Sequence, residues 1–409
     1  ATGPMSPKLT GLGDKHFKVT TSSTESQYFF DQGLRLVTAF NHSEAMRSFK
    51  EAARLDPENA MAHWGWALTL GRNLNLPMMA NVYGQAYDAI QRAVALKEQV
   101  SDRERDYIEA LATRYTNDFD QGRDKFDIAY MHAMEELMNK YPDDLDAAVL
   151  WVSSAMNNQP WDYWNQDGTP KGNAEKIIAK LNDIITKNPD HAAAHHYLIH
   201  VAESKRPELA EASADALAPL MPNAGHLVHM PSHIFIRLGR YQDAYDTNVH
   251  AVNVDEDYIK QSKAQGIYPL MYYPHNVHFL SWSSMFTGRS GLAIEAALKA
   301  KSILEMGVRK SSWGSGENFR VQPIFVMVRF GKWQELLEME KPFVKAQYLT
   351  GMWHYGRSMA YMKTGNMSAA KEELQKLQET VARFEEGIPG YSEGGALTNV
   401  LNLEIASSL

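Results

Sequence analysis

The apolar and polar positions of this 409-residue chain recur with a helical period, and no alternating run of β-branched residues interrupts them. Ala, Leu, Glu, Lys and Met dominate the periodic segments, a composition that favours helix. The helices come in pairs that share a grammar. "FNHSEAMRSFKEAARLDP" (40–57) resembles "GRYQDAYDTNVHAVNVDE" (239–256), "GRSGLAIEAALKAKSILE" (288–305) and "GNMSAAKEELQKLQE" (365–379). Ala45, Ala244, Ala293 and Ala370 hold the same place after the residue that opens each stretch. A small side chain there lets two antiparallel helices approach closely. Pro57, Pro142, Pro189 and Pro222 each end one helical pattern and begin the next pair, because proline cannot continue a helix. Pro189 to Pro222 is 33 residues and Gly331 to Gly365 is 34.

That period and that glycine–alanine–proline grammar resemble the tetratricopeptide repeat, from about residue 22 to the end. The expected fold is all-α, a right-handed solenoid of about nine helix pairs whose first helices line a concave groove. "GRNLNLPMMANVYG" (71–84) and "NNQPWDYWNQDGTPKG" (157–172) read as long turns inside pairs. The expected organisation is an N-terminal extension over 1–21, repeats over 22–190 with the insertion at 157–172, histidine-rich repeats over 191–306, and C-terminal repeats over 307–409. The stretch "GHLVHMPSHIFIRLGRYQDA" is similar to a histidine-rich group of tetratricopeptide proteins with no settled activity, so the resemblance implies a fold more than a function. Members of that group often continue further. "ALTNVLNLEIASSL" stops within a helical pattern, so this end reads as truncated. The start, "ATGPMSPKLTGLGD", has no apolar signal core and reads as an added leader before Met5 or the trimmed end of an exported protein.

Composition narrows the function classes. A net charge of −8 argues against nucleic acid or an anionic membrane as partner, and no apolar run approaches the ~18 residues of a membrane span. The absence of cysteine excludes disulfides, thiolate metal sites and cysteine nucleophiles, and suits a soluble protein of cytoplasm or periplasm equally.

Histidine supplies the candidate chemistry. Ten of the 15 histidines lie between 191 and 278. Aligning Pro189 with Pro222 maps His196 onto His229 and His200 onto His233, each pair at a spacing that shares one helix face. His226 extends the stripe, and aligning Gly239 with Gly288 places His275 and His278 on equivalent positions of the next helix. Neighbouring helices pack at about 8–10 Å, so imidazoles from adjacent repeats could share an ion. The expected ligands of a divalent transition metal are His196, His200, His229 and His233, with His226, His275 and His278 completing the site or forming a second one. A histidine-lined groove that hydrogen-bonds a peptide or an organic anion is the alternative. Pro231 suggests that its helix begins near Met230, with His226 and His229 before it. His16, His42, His63, His132, His250 and His354 read as structural. His195 points away from His196 and reads as structural too, while His191 is left open.

Imidazoles without thiolates suit zinc, copper, iron or nickel. Two sets of three imidazoles match a familiar copper–oxygen arrangement, which tips the expectation toward a redox metal; zinc-assisted hydrolysis stays open. Glu203 shares the face of His196 and His200 and is a candidate ligand, general base or orienting partner for an imidazole; a solvated helix-end glutamate is the plainer reading. Arg237 could hold an anionic substrate group or form a salt bridge. Trp161 and Trp164 in the insertion, and Tyr272 and Tyr273 before "PHNVH", could wall a substrate. Three functions follow: a metal-dependent oxidoreductase or hydrolase acting on a small organic molecule in the groove, a peptide- or protein-binding scaffold, and a metal-binding protein without catalysis. No Gly-rich phosphate loop, nucleophile elbow or adjacent-His-Glu zinc-protease helix is present.

Overall fold

The computed structural model describes residues 3–308, 317–342, 347–385 and 406–407. The stretch "ALTNVLNLEIASSL" lies outside the described residues but for Ala406 and Ser407, so it adds nothing on the chain's end. The fold is all-α, built from antiparallel helix pairs stacked as a helical-repeat solenoid. Among the described residues no strand forms; there are only isolated bridges, Asn73 with Leu76 and Trp164 with Pro170. No helix of the described residues is long and apolar enough to cross a membrane.

The chain divides into two compact units, Ala1–Tyr268 and Pro269–Leu409. The first holds α1 (Thr24–Thr38), α2 (His42–Leu55), α3 (Ala60–Leu70), α4 (Tyr83–Leu96), α5 (Asp102–Ala112), α6 (Asp124–Lys140), α7 (Leu145–Asn158), α8 (Ala174–Lys187), α9 (Ala192–Ala202), α10 (Glu211–Leu220), α11 (Gly225–His229), α12 (Pro231–Arg237) and α13 (Tyr241–Ser262). The second holds α14 (Tyr273–Phe286), α15 (Ser290–Val308), α16 (Glu317–Arg320), α17 (Gln322–Arg329), α18 (Trp333–Glu338), α19 (Gln347–Lys363) and α20 (Met367–Glu385). The histidine-rich segment 191–306 is therefore divided between the units, and His275 and His278 belong to α14 of the second.

Local chemistry explains the helix boundaries. Two residues after each of three proline joins stands an N-cap. Asn59 accepts from Ala62 N, Asp144 from Asp146 N and Ala147 N, and His191 Nδ1 from Ala194 N. The alanines of the repeat grammar are buried at the crossings of their pairs, with Ala45, Ala244 and Ala293 fully so. The turn that opens each of these stretches needs a left-handed residue. Glycine supplies it at Gly239, Gly288 and Gly365, with φ of 78°, 76° and 88°, whereas Phe40 occupies the equivalent position at φ 54°. A bulky residue there is strained, and its reason lies in the site below.

The N-terminal extension is integral to the first unit. Leu9, Leu12, Phe17 and Val19 are buried. Gln32 Oε1 accepts from Leu9 N, Gly11 O accepts from Asn223 N at 2.8 Å, and Glu104 accepts from Thr20 N. This strap ties the first helices to the turn that precedes α11. As a result the histidine helices are not open to a concave groove. α9 is buried on every side from Ala193 to Ala202, because α8, α10 and the α1–α2 turn cover it.

Candidate metal centre

The sequence expects the helix around His233 to begin near Met230. It does: α12 starts at Pro231 with Met230 as its N-cap, and the separate short helix α11 leads into it through Met230, itself right-handed helical (φ −53°, ψ −37°). Pro231 removes one backbone donor and breaks the hydrogen-bond ladder there, but its fixed φ suits a helix. His226 and His229 thus stand before α12, on the short helix α11.

Within the first unit α9 contributes His196 and His200, α11 His226 and His229, and α12 His233. One nitrogen from each of His196, His200 and His226 falls within 4.8 Å of the others, and all three side chains are buried. His196 Nε2 lies 3.1 Å from His226 Nε2, and His229 Nε2 lies 2.9 Å from His233 Nε2. Two nitrogens bound to one ion at ~2.0–2.1 Å lie at such distances when the angle at the ion is about 90–100°.

Outer partners fix which nitrogens turn inward. His196 Nδ1 donates to Thr38 O at 2.8 Å, and His229 Nδ1 donates to Asn248 Oδ1 at 2.7 Å. The Asn248 amide is itself oriented by Nδ2 donating to Ala244 O. Glu203, at the end of α9, serves two rings: Oε1 accepts from His200 Nδ1 at 3.2 Å and Oε2 from His233 Nδ1 at 2.6 Å. Carbonyl and carboxylate oxygens only accept, so each of these Nδ1 atoms carries its proton. The neutral rings then present bare Nε2 lone pairs. His200 Nε2 is buried without a hydrogen-bond partner. An orphaned acceptor beside two further imidazole nitrogens fits a metal ligand set whose rings are held by outer oxygens.

Electrostatics favours the neutral, ligating form. Burial pushes His196 well below the ordinary imidazole value, reinforced by His200. Burial also lowers His200, against the opposing pull of Glu203. Burial alone would raise the Glu203 carboxyl, but the adjacent His233 and His200 outweigh it and hold Glu203 ionised well below the usual carboxylate range. His191 is pushed down to about 4 by burial and by nearby Lys15. In the unfolded chain these imidazoles titrate near ~6.5, so the folded state binds fewer protons below that value. Stability present above about pH 6.5 is therefore lost as the pH falls toward about 4. Urea unfolding of chelator-treated protein should show a lower midpoint at pH 5 than at pH 7.5; an unchanged midpoint would show that burial does not hold these rings neutral.

Phe40 seals the cluster. Its ring centroid lies 4.5 Å from that of His196, and it stacks on His200 and His226 at 5.5 and 5.2 Å. This contact requires the strained turn, since a glycine would leave a void over three imidazoles. Phe40→Ala should cost about 3–5 kcal/mol of unfolding free energy in urea titration. A cost below about 1 kcal/mol would mean that the ring is not packed as described.

The remaining candidates separate. Trp161 sits at φ 64° in the insertion, roughly half exposed, with its ring edge 5.3 Å from His200. Trp164 is buried and donates from Nε1 to Val201 O, a packing contact. Arg237 is exposed at the end of α12 and forms no ion pair among the described residues. Tyr272 and Tyr273 are buried in the second unit. His195 bonds Ser213 Oγ and Pro189 O, and His63 makes the equivalent bond to Pro57 O, so both tie a proline join to its helix. Thr38, Phe40 and Asn248 escape residue-type reasoning. Of these only Phe40 leaves a trace in sequence, as the aromatic where the aligned turns carry glycine.

A cleft of about 560 Å³ lies between the strap and α13, with Leu9, Leu12, Ala39, Asn41, Gly225 and Tyr268 among its walls. Ala39 and Gly225 adjoin Phe40 and His226, so the cleft comes within one residue of the histidine cluster.

Residues 354–380 match the tetratricopeptide repeat family. No curated protein matches the chain. Solved structures similar to it include the human IFIT1 dimer with PPP-AAAA, at 13% identity and a TM-score of 0.44, covering 86% of this chain and 71% of that one. The human IFIT1 dimer with m7Gppp-AAAA, at 13% identity and 0.42, covers 95% and 91%. Yeast Tom70, at 11% identity and 0.30, covers 95% and 90%. Residues 354–380 therefore carry one tetratricopeptide repeat, set among stacked helix pairs.

Proposed function

We propose that the first unit binds a divalent transition metal through His196, His200 and His226, and that the protein is a metal-dependent enzyme for a small organic substrate. The observation that carries the metal reading is the buried, unpartnered Nε2 of His200 beside the Nε2 atoms of His196 and His226. Three protein nitrogens leave a position open, as catalytic sites do. An all-imidazole set without thiolate fits copper, zinc or iron, and such an ion supplies Lewis-acid or redox chemistry when bound. Thr38 O and Glu203 orient the rings, and Phe40 excludes water from one side. The substrate is read into the cleft beside Ala39 and Gly225, with an apolar body against Leu9 and Leu12 and its polar end toward Asn41. Exposed Trp161 at His200 offers a second approach. For His275 and His278 the repeat register argues a ligand role, and alanine at each, read by metal content, tests it.

A peptide-binding use of the fold is favoured by one feature, a cleft of about 350 Å³ in the second unit lined by Lys341, Trp353, His354, Lys376 and Arg383. Elemental analysis of protein purified without an immobilised-metal column tests the primary reading. Stoichiometric copper, zinc or iron is expected. Metal-free protein that also takes up none of these ions on titration would favour the peptide-binding use.

A further inference from the structure

His229 and His233 raise a problem that the first cluster does not. His226 can donate from Nε2 to His196, which would satisfy both Nε2 atoms. His229 and His233 have no such freedom toward each other, because both Nδ1 protons are committed, to Asn248 Oδ1 and to Glu203 Oε2. Neutral rings therefore point two lone pairs at each other across 2.9 Å. Such a pair is repulsive unless a cation lies between the nitrogens. A metal ion fills that role with the geometry already present. The competing occupant is a proton that makes His233 a cation beside the Glu203 carboxylate.

We propose that His229 and His233 ligate a second divalent transition metal ion, and that the single carboxylate of Glu203 is the positioning residue for both ions. The inference rests on the metal reading of the first cluster only for the pairing of the two sites. Glu203 locks one ligand ring of each, His200 through Oε1 and His233 through Oε2. Both locks require an acceptor oxygen. Glu203→Gln keeps the shape but offers one acceptor and one donor, so it can hold only one of the two Nδ1–H groups. The other ring turns to the Nε2–H tautomer, which cannot ligate through Nε2. The amide should thus remove one ion and spare the other, which a purely structural glutamate would not do.

The test is the number of Zn²⁺ equivalents bound by the chelator-treated full chain, by calorimetry and by metal content after dialysis. Wild type should bind two. His229→Ala/His233→Ala, His196→Ala/His226→Ala and Glu203→Gln should each bind one, with helical circular dichroism retained. Should a double-alanine variant fail to fold, His233→Gln, which keeps the volume and can still donate to Glu203, must lose one equivalent. Wild type binding one ion that His229→Ala/His233→Ala retains would overturn the second site and leave the first standing. One ion lost in that variant but retained in His196→Ala/His226→Ala would instead overturn the two-ion proposal and the first-site reading together. Two ions retained by Glu203→Gln would overturn the shared positioning role.

Discussion

Gly225→Ala is expected to destabilise the first unit by about 3 kcal/mol, the upper end for overpacking a tight contact. A Cβ at Gly225 would lie 1.9 Å from Asp255 Oδ1 and 2.5 Å from Asp255 Cγ. Asp255 cannot easily yield, since it is fully buried on α13 and its Oδ1 accepts from Tyr268 OH at 2.8 Å. Either α11 moves away from α13 or the Asp255–Tyr268 bond breaks. Both displace His226, the next residue, whose backbone N also donates to Tyr268 OH. The variant should therefore lose metal affinity along with stability. Urea unfolding followed by circular dichroism measures the first effect and Zn²⁺ titration the second. A loss within about 0.5 kcal/mol would show that α11 and α13 are not in this close contact.

His196→Ala/His200→Ala should weaken metal binding at the first cluster more than about 100-fold, because changes to outer partners of ligands alone already cost 10–100-fold. The double substitution removes two of three nitrogens of the first cluster and leaves His226 alone. His250→Ala, on an exposed position of α13, should bind as wild type does. So should His354→Ala, whose ring donates to the Glu373 carboxylate in the second unit. Wild-type affinity would also fall as the pH drops below ~6.5, but less steeply than for exposed histidines, since burial holds His196 and His200 neutral. Equal affinity in the double variant and in wild type would place the ion elsewhere.

Much of this fold is legible from the sequence because its information is local. The proline joins, the N-cap two residues later and the alanine at each crossing act within one helix pair, so periodicity reports them. The 33-residue register likewise brings His196, His200, His226, His229 and His233 to neighbouring helices, and the structure places their nitrogens together in two groups of the first unit. What covers those histidines is not local. Thr38 and Phe40 lie some 160 residues before His196 and His200, and no periodic signal joins segments so far apart. The N-terminal strap is equally opaque, because Leu9, Leu12, Phe17 and Val19 are spaced without helical period and are buried on chain without regular secondary structure. The sequence reading of an open groove fails for that reason: repeat logic places the stripe correctly on its helices and cannot see the segment that folds over it. Arg237 illustrates the opposite error. Its spacing from His233 suggests a shared face, but it ends α12 in solvent.

The most direct test of the metal reading is the X-ray absorption spectrum of the purified chain at the edge of whichever of copper, zinc or iron it carries or takes up. The account predicts a first shell of nitrogen at about 2.0–2.1 Å with the outer-shell scattering of imidazole, lost when His196→Ala/His200→Ala is combined with His229→Ala/His233→Ala. A first shell of oxygen without imidazole scattering, or a spectrum unchanged by those four substitutions, would contradict it.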